Sequence, residues 1–271
     1  MLKISILHAT YMSGTNPTRH RDLWLSAARY PQRVEYICAM NADDSAAVEA
    51  TATGVLRVVN EAPDGYSTAV QNWNSAAALA TGDLLVVVSD DLFPPPDWDI
   101  RLEELVTPLR PQETDFALKI QDSPFPADTT LRHPVISRAF FDKFGLFDRA
   151  FRGVYCDNDI TLRAFLFSVI VDGRSIQFGH KHPHFDHLVN ETVSQRKINA
   201  APEYEFGRKV FVRKWFPVSW KLNLNRLSLP HRVKSRMPNS VLRRLAYHVF
   251  LSHRWIREFR KIETDAGLGG N

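Results

Sequence analysis

Five aliphatic residues in a row, Leu84-Leu85-Val86-Val87-Val88, opened by Gly82-Asp83 and closed by Ser89-Asp90-Asp91, constrain this chain more than any other stretch. A short unbroken apolar run rich in β-branched residues is a strand buried on both faces, the kind found inside a parallel sheet. Ligands of open α/β sheets bind beyond the carboxyl ends of the strands, which is where Asp90 and Asp91 fall. Two neighbouring carboxylates repel unless a cation or a hydrogen-bonding ligand lies between them. Aspartate also caps helices and ends strands, so the pair alone is equally compatible with a structural role.

The flanking sequence alternates strands with helices. Ile4 to Tyr11 reads as a strand, Thr18 to Tyr30 as a helix with Leu23, Trp24, Ala27 and Ala28 on one face, and Val34 to Met40 as a strand. Val55 to Val59 is a third strand, and Ser67 to Ala80 a helix stopped by Thr81-Gly82. Beyond Asp91, Pro94-Pro95-Pro96 forms a stiff turn into a helix ending near Leu109. Strands at 116–120 and 135–136, helices containing 139–144 and 159–167, and a strand at 175–178 complete the pattern. The alternation implies a layered α/β sheet that is mainly parallel.

At 271 residues and 44% hydrophobic, the chain can bury a large core. Cys38 and Cys156 form neither a disulfide framework nor a CxxC metal pair, which suits a reducing, cytoplasmic setting. The N-terminal apolar run is short for a signal peptide, and no window approaches the ~20 apolar residues of a membrane span. The net charge of +4 hides an asymmetry. Residues 205–271 hold 15 Lys/Arg against 4 Asp/Glu, leaving 19 against 26 ahead of them. We therefore expect a catalytic domain over 1–204 and a basic helical extension over 205–271. Within that extension, 241–262 has the pattern of a basic amphipathic helix. Such a helix suits an anionic membrane surface, or packing on the catalytic domain or a second subunit. No nucleic-acid motif accompanies it.

Acids and histidines cluster at expected strand and helix ends: Asp43/Asp44, Asp90/Asp91, Asp157/Asp159 and His180/His182/His184. In a parallel sheet such ends share one edge, so distant residues can build one site. Carboxylates with imidazoles suit a divalent metal. A metal there can stabilise a diphosphate leaving group, and a carboxylate off the metal can deprotonate a hydroxyl. His133-Pro134, after a Thr-rich loop, is a candidate border of an acceptor site.

Taken in order, these motifs resemble the family 2-like nucleotide-sugar glycosyltransferases over roughly residues 1–190. Ile4 to Tyr11 resembles the family's first strand, with Thr10-Tyr11 beside the nucleotide base. Asp43 and Asp44 stand where the second strand supplies an Asp to uracil or ribose. Asn74-Ser75-Ala76 with Ala80-Thr81-Gly82-Asp83 is similar to the helix that leads into the metal strand, and Ser89-Asp90-Asp91 occupies the place of the DxD element.

The resemblance implies a GT-A (Rossmann-like) fold and a divalent ion, Mn²⁺ or Mg²⁺. It implies a nucleoside diphosphate sugar donor, UDP-linked as the first expectation, and a hydroxyl acceptor on a glycan, a lipid-linked saccharide or a protein. Asp91 would ligate the metal, with His180 or, as second choice, His182. Asp90 would contact metal, ribose or sugar, and Thr10, Tyr11, Asp43, Asp44 and Asn74 would line the donor. Gly145-Leu146-Phe147-Asp148 followed by Cys156-Asp157-Asn158-Asp159 resembles the family's base segment, making Asp157 the catalytic base and Asp159 the acid that braces the site. Two departures stand out: Cys156 where the family has Glu, and Trp73 where many relatives place an Arg near the diphosphate. A non-catalytic nucleotide-sugar binder, and a metal hydrolase on His180, His182, His184 and Asp186, are the competing readings.

Overall fold

The structure, a computed structural model, describes residues 2–14, 16–61, 68–183, 185–186 and 188–215. Its strands are β1 (Ile4–Ala9), β2 (Val34–Asn41), β3 (Leu56–Asn60), β4 (Leu84–Ser89), β5 (Leu92–Phe93), β6 (Ala117–Gln121), β7 (Val135–Ser137), β8 (Ile170–Gln177) and β9 (Gly179–His180). The helices are α1 (Pro17–Ser26), α2 (Ser45–Ala50), α3 (Ala69–Leu79), α4 (Trp98–Val106), α5 (Arg138–Phe144), α6 (Cys156–Leu166), α7 (Val193–Ile198) and α8 (Ala201–Trp215).

Seven strands form one sheet in the order β3-β2-β1-β4-β7-β6-β8. β7 runs antiparallel to β4 and β6, and the other pairings are parallel. The aliphatic run is β4, paired with β1 on one side and β7 on the other. Leu85 and Val87 join the core on the α3/α6/α8 face, while Leu84, Val86 and Val88 join the core beneath α1 and α4. All five are fully buried. At about 2 kcal/mol per buried aliphatic side chain, this strand alone contributes on the order of 10 kcal/mol of gross apolar stabilisation. Gly82 starts it because a Cβ there would lie 2.7 Å from the Ser5 nitrogen and 2.9 Å from the Lys3 carbonyl oxygen.

The sequence pattern did not disclose α2, the residues 170–174 of β8, or the two-stranded pair of β5 with β9. That pair is antiparallel with Leu92 opposite His180. It folds the His180 segment back against the tip of β4. The expected domain division at 204/205 falls inside α8, whose far end packs on α6 through Trp215 Nε1, 2.8 Å from Asp159 Oδ1. His184 and the expected helix at 241–262 lie outside the described residues.

Candidate active site

The carboxyl ends of β1 and β4 open into a cleft of about 1040 Å³, walled by α3, the start of α6, the segment after β9, and α7. Thr10, Tyr11, Asp90, Asp91, Asp157, His180 and His182 line it, as does His133.

Asp91 follows β4, His133 precedes β7 and His180 lies in β9, and one ligand atom from each falls within 4.8 Å of the others. Their orientation comes from a single residue. His133 Nδ1 is 3.0 Å from Asp122 Oδ2, and His180 Nδ1 is 2.8 Å from the Asp122 carbonyl oxygen. Both oxygens accept, so both Nδ1 atoms carry the hydrogen and the Nε2 atoms of the neutral rings are lone pairs. His180 Nε2 then faces Asp91 Oδ2 at 3.3 Å, an acceptor against an acceptor. Only a proton or a cation between them makes that arrangement stable. Burial opposes the charge on His180, but the hydrogen bond and charge of Asp91 outweigh it and raise its pKa. Against its own burial, Asp91 is held well below the usual carboxylate range by His180, by His133 and by the Ser89 hydroxyl.

One carboxylate and two imidazoles with committed Nδ1 protons form a donor set for a divalent transition ion. Asp122 is itself anchored, since Lys119 donates to its other oxygen and both side chains are buried. Burial opposes the ionised carboxyl there too, and Lys119 and His133 hold it low. Gln195 of α7 also reaches the centre, its Nε2 2.9 Å from Asp91 Oδ2.

Across the cleft, Asp157 sits in the first turn of α6. Burial lifts its carboxyl above the ordinary range, opposed by the charge of Arg132. A carboxyl with a raised proton affinity is suited to take a proton from a hydroxyl. Tyr155, just before it, has φ of 68°, a left-handed conformation that is strained for a bulky side chain.

The remaining expected residues have definite places. Thr10 Oγ1 donates to Asp90 Oδ1 at 2.8 Å. Tyr11 donates its hydroxyl to Asp43 Oδ2 at 2.9 Å, and the Lys197 ammonium lies 4.6 Å from the Tyr11 ring centre. Asp44 caps α2, accepting from the backbone nitrogens of Ala47 at 3.1 Å and Met12 at 2.5 Å. Asn74 faces away from the cleft and clasps the 145–148 turn through paired bonds of 2.9 and 3.1 Å with the Phe147 backbone. Asp159 is fully buried among Lys214, Trp215 and Arg163, on the α8 side of α6. His182 lines the cleft with its ring 5.5 Å from that of His180, outside the converging trio. Trp73 donates its indole N–H to the Val88 carbonyl oxygen at 2.8 Å and so supports the tip of β4.

Sequence reasoning placed His133 at an acceptor border and passed over Asp122, Lys119 and Gln195. The available signal was a lysine inside the apolar strand 116–120, followed by an acid at 122. A buried charge in such a strand demands a partner.

No family model matches the sequence. No curated protein matches it. Solved structures do. S. aureus TarS superposes with a TM-score of 0.52 at 15% identity, covering 79% of this chain and 44% of TarS. S. aureus TarS 1–349 in complex with UDP superposes with a TM-score of 0.51 at 14% identity, covering 82% of this chain and 72% of that one. This chain thus covers less than half of that longer TarS chain. The likeness is one of fold: a mixed, mostly parallel seven-stranded sheet with flanking helices, the GT-A fold.

Proposed function

We propose that this chain is a metal-dependent glycosyltransferase that moves a sugar from a nucleoside diphosphate donor to a hydroxyl acceptor. The observation that carries the reading is the convergence of Asp91, His133 and His180 within 4.8 Å beyond β4, with Asp157 and its raised proton affinity across the same cleft. The complex of TarS 1–349 with UDP, which shares the fold, supports UDP as the nucleotide.

In this reading Asp91, His133 and His180 would hold a divalent ion, whose positive charge would stabilise a diphosphate leaving group. Tyr11 and Asp43 border the base and ribose, Asp90 accepts a hydrogen bond from a donor hydroxyl, and Lys197 brings positive charge to the same wall. Asp157 takes the proton of the acceptor hydroxyl as its oxygen bonds to the anomeric carbon. The bond from that carbon to the diphosphate breaks, and its electron pair leaves with the diphosphate. Attack opposite the leaving group inverts the anomeric centre. The acceptor hydroxyl belongs to a glycan, a lipid-linked saccharide or a protein, and the basic extension is the part suited to an anionic membrane surface. Among the described residues no helix is long and apolar enough to cross a membrane.

The test combines UDP-sugars and Mn²⁺ with wild type, Asp91→Ala and Asp157→Asn, following UDP release and UDP binding separately. Wild type should bind and release UDP. Asp91→Ala should lose metal-dependent binding, and Asp157→Asn should bind UDP but lose transfer. Wild-type binding without any UDP release favours the binder reading, for which Cys156 in place of a glutamate is the specific observation. That thiol is buried, and burial pushes its pKa well up, so it does not supply the missing acid.

A further inference from the structure

Behind Asp90 lies a chain of polar groups with no solvent contact of consequence. His20 Nε2 is 3.1 Å from the Leu92 carbonyl oxygen, and His20 Nδ1 is 2.9 Å from the Tyr36 hydroxyl. The same hydroxyl is 2.8 Å from His8 Nδ1, and His8 Nε2 is 3.1 Å from Asp90 Oδ1. His8 is fully buried, His20 and Tyr36 nearly so, and the two imidazoles stack with centres 4.5 Å apart.

Four hydrogen bonds therefore run between two groups that only accept, the Leu92 carbonyl and the Asp90 carboxylate. Each bond needs its own hydrogen. Two neutral imidazoles and a phenol bring one each, so the chain is one proton short. Working inward from Leu92 locates the missing one. His20 must donate from Nε2, so its Nδ1 accepts from Tyr36. Tyr36, its hydrogen used, must accept from His8 Nδ1. His8 must then also donate from Nε2 to Asp90, and a ring that donates from both nitrogens is an imidazolium. The site agrees. Burial disfavours the charge, yet Cys38 and Asp90 beside it lift the pKa of His8 to about 10, while burial and the charge of His8 drop that of His20 to about 3.

We propose that His8 is a positioning residue: a buried imidazolium, held by Tyr36 and His20, that neutralises Asp90 and fixes its carboxylate for a donor hydroxyl. Thr10 Oγ1 donates to the same oxygen that His8 holds, Asp90 Oδ1, which reserves Oδ2 for the ligand. The repulsion between adjacent carboxylates is thereby relieved from inside the protein: His8 serves Asp90, and only Asp91 is left for a metal. The use of the held carboxylate rests on the nucleotide-sugar reading, whereas the charge of His8 does not.

The deciding experiment is ¹⁵N NMR of the histidine rings in the full-length protein at about pH 8, where an ordinary histidine is neutral. His8 should carry hydrogen on both nitrogens. In Asp90→Asn, whose amide can donate, it should carry one. A bare His8 nitrogen in wild type, or an unchanged His8 in Asp90→Asn, overturns the proposal. In the second arm, His8→Gln should weaken UDP binding in Mn²⁺ about tenfold. It should also lower the melting temperature more than His8→Gln combined with Asp90→Asn does, because the double variant buries no uncompensated charge. UDP affinity in His8→Gln equal to wild type also overturns the proposal. If His8→Gln does not fold, the ring spectra of wild type and Asp90→Asn decide alone. Wild type that binds no UDP refutes the nucleotide reading and leaves the ring spectra to judge His8.

Discussion

At the scale of single residues, the candidate centre depends on a residue that does not line the cleft. Asp122 sets both imidazoles by taking their Nδ1 hydrogens, one on its carboxylate and one on its backbone carbonyl. Asp122→Asn should release the His133 ring while the carbonyl still holds His180, and Mn²⁺ affinity by calorimetry should fall by roughly 10- to 100-fold. His133→Ala should fall at least as far. The two-imidazole donor set also favours Mn²⁺ or Co²⁺ over Mg²⁺, which the same titration with each ion checks. Asp157 should set the acid limb of the pH–rate profile. Its carboxyl is raised by burial, so turnover should decline on acidification at a higher pH than for an ordinary aspartate, as protonation removes the base. Profiles of kcat against pH in wild type and Asp157→Glu measure this.

At the scale of elements, two docking events build the site. The β5–β9 pair carries His180 to Asp91, and the Lys181 backbone nitrogen donates to the Asp91 carbonyl oxygen at 2.9 Å. On the opposite wall α8 lies against the Val154-Tyr155 backbone, close enough that a Cβ on Gly207 would stand 2.5 Å from the Val154 carbonyl oxygen. Gly207→Ala should therefore push α8 outward at a cost of about 1–3 kcal/mol, the usual range for overpacking. The Tyr155-Cys156-Asp157 turn would shift with it. A lower melting temperature together with reduced turnover is the expected pair of results, and unchanged turnover would show that α8 does not hold that turn. Asp159 belongs at this scale. Its contacts with Lys214 at 2.7 Å and Trp215 at 2.8 Å join α6 to α8.

At the scale of the whole molecule, strand direction does the assembling. With β3, β2, β1 and β4 parallel, the segments after β1, β2 and β4 emerge on one edge. Ligand binding there should stabilise the folded chain by mass action. UDP at ~100 times its Kd should add about 2.7 kcal/mol, seen as a raised melting temperature that depends on Mn²⁺ and disappears in Asp91→Ala.

Periodicity and local residue chemistry already determined the alternating α/β layers, the doubly buried strand 84–88 and the arrival of Asp90 and Asp91 at its tip, because these follow from neighbours in the chain. They reached Asp157 and His180 as candidates for the same reason: both sit at element ends. Tertiary packing alone decided that His133 joins Asp91, that Asp122 orients it, that Asn74 holds the Phe147 backbone while Asp159 meets Lys214 and Trp215, and that His8 is paired with Asp90. Those contacts join residues from 11 to 82 positions apart. The pairing of β5 with β9 and the crossovers of the sheet bring such residues together, and no local spacing encodes that.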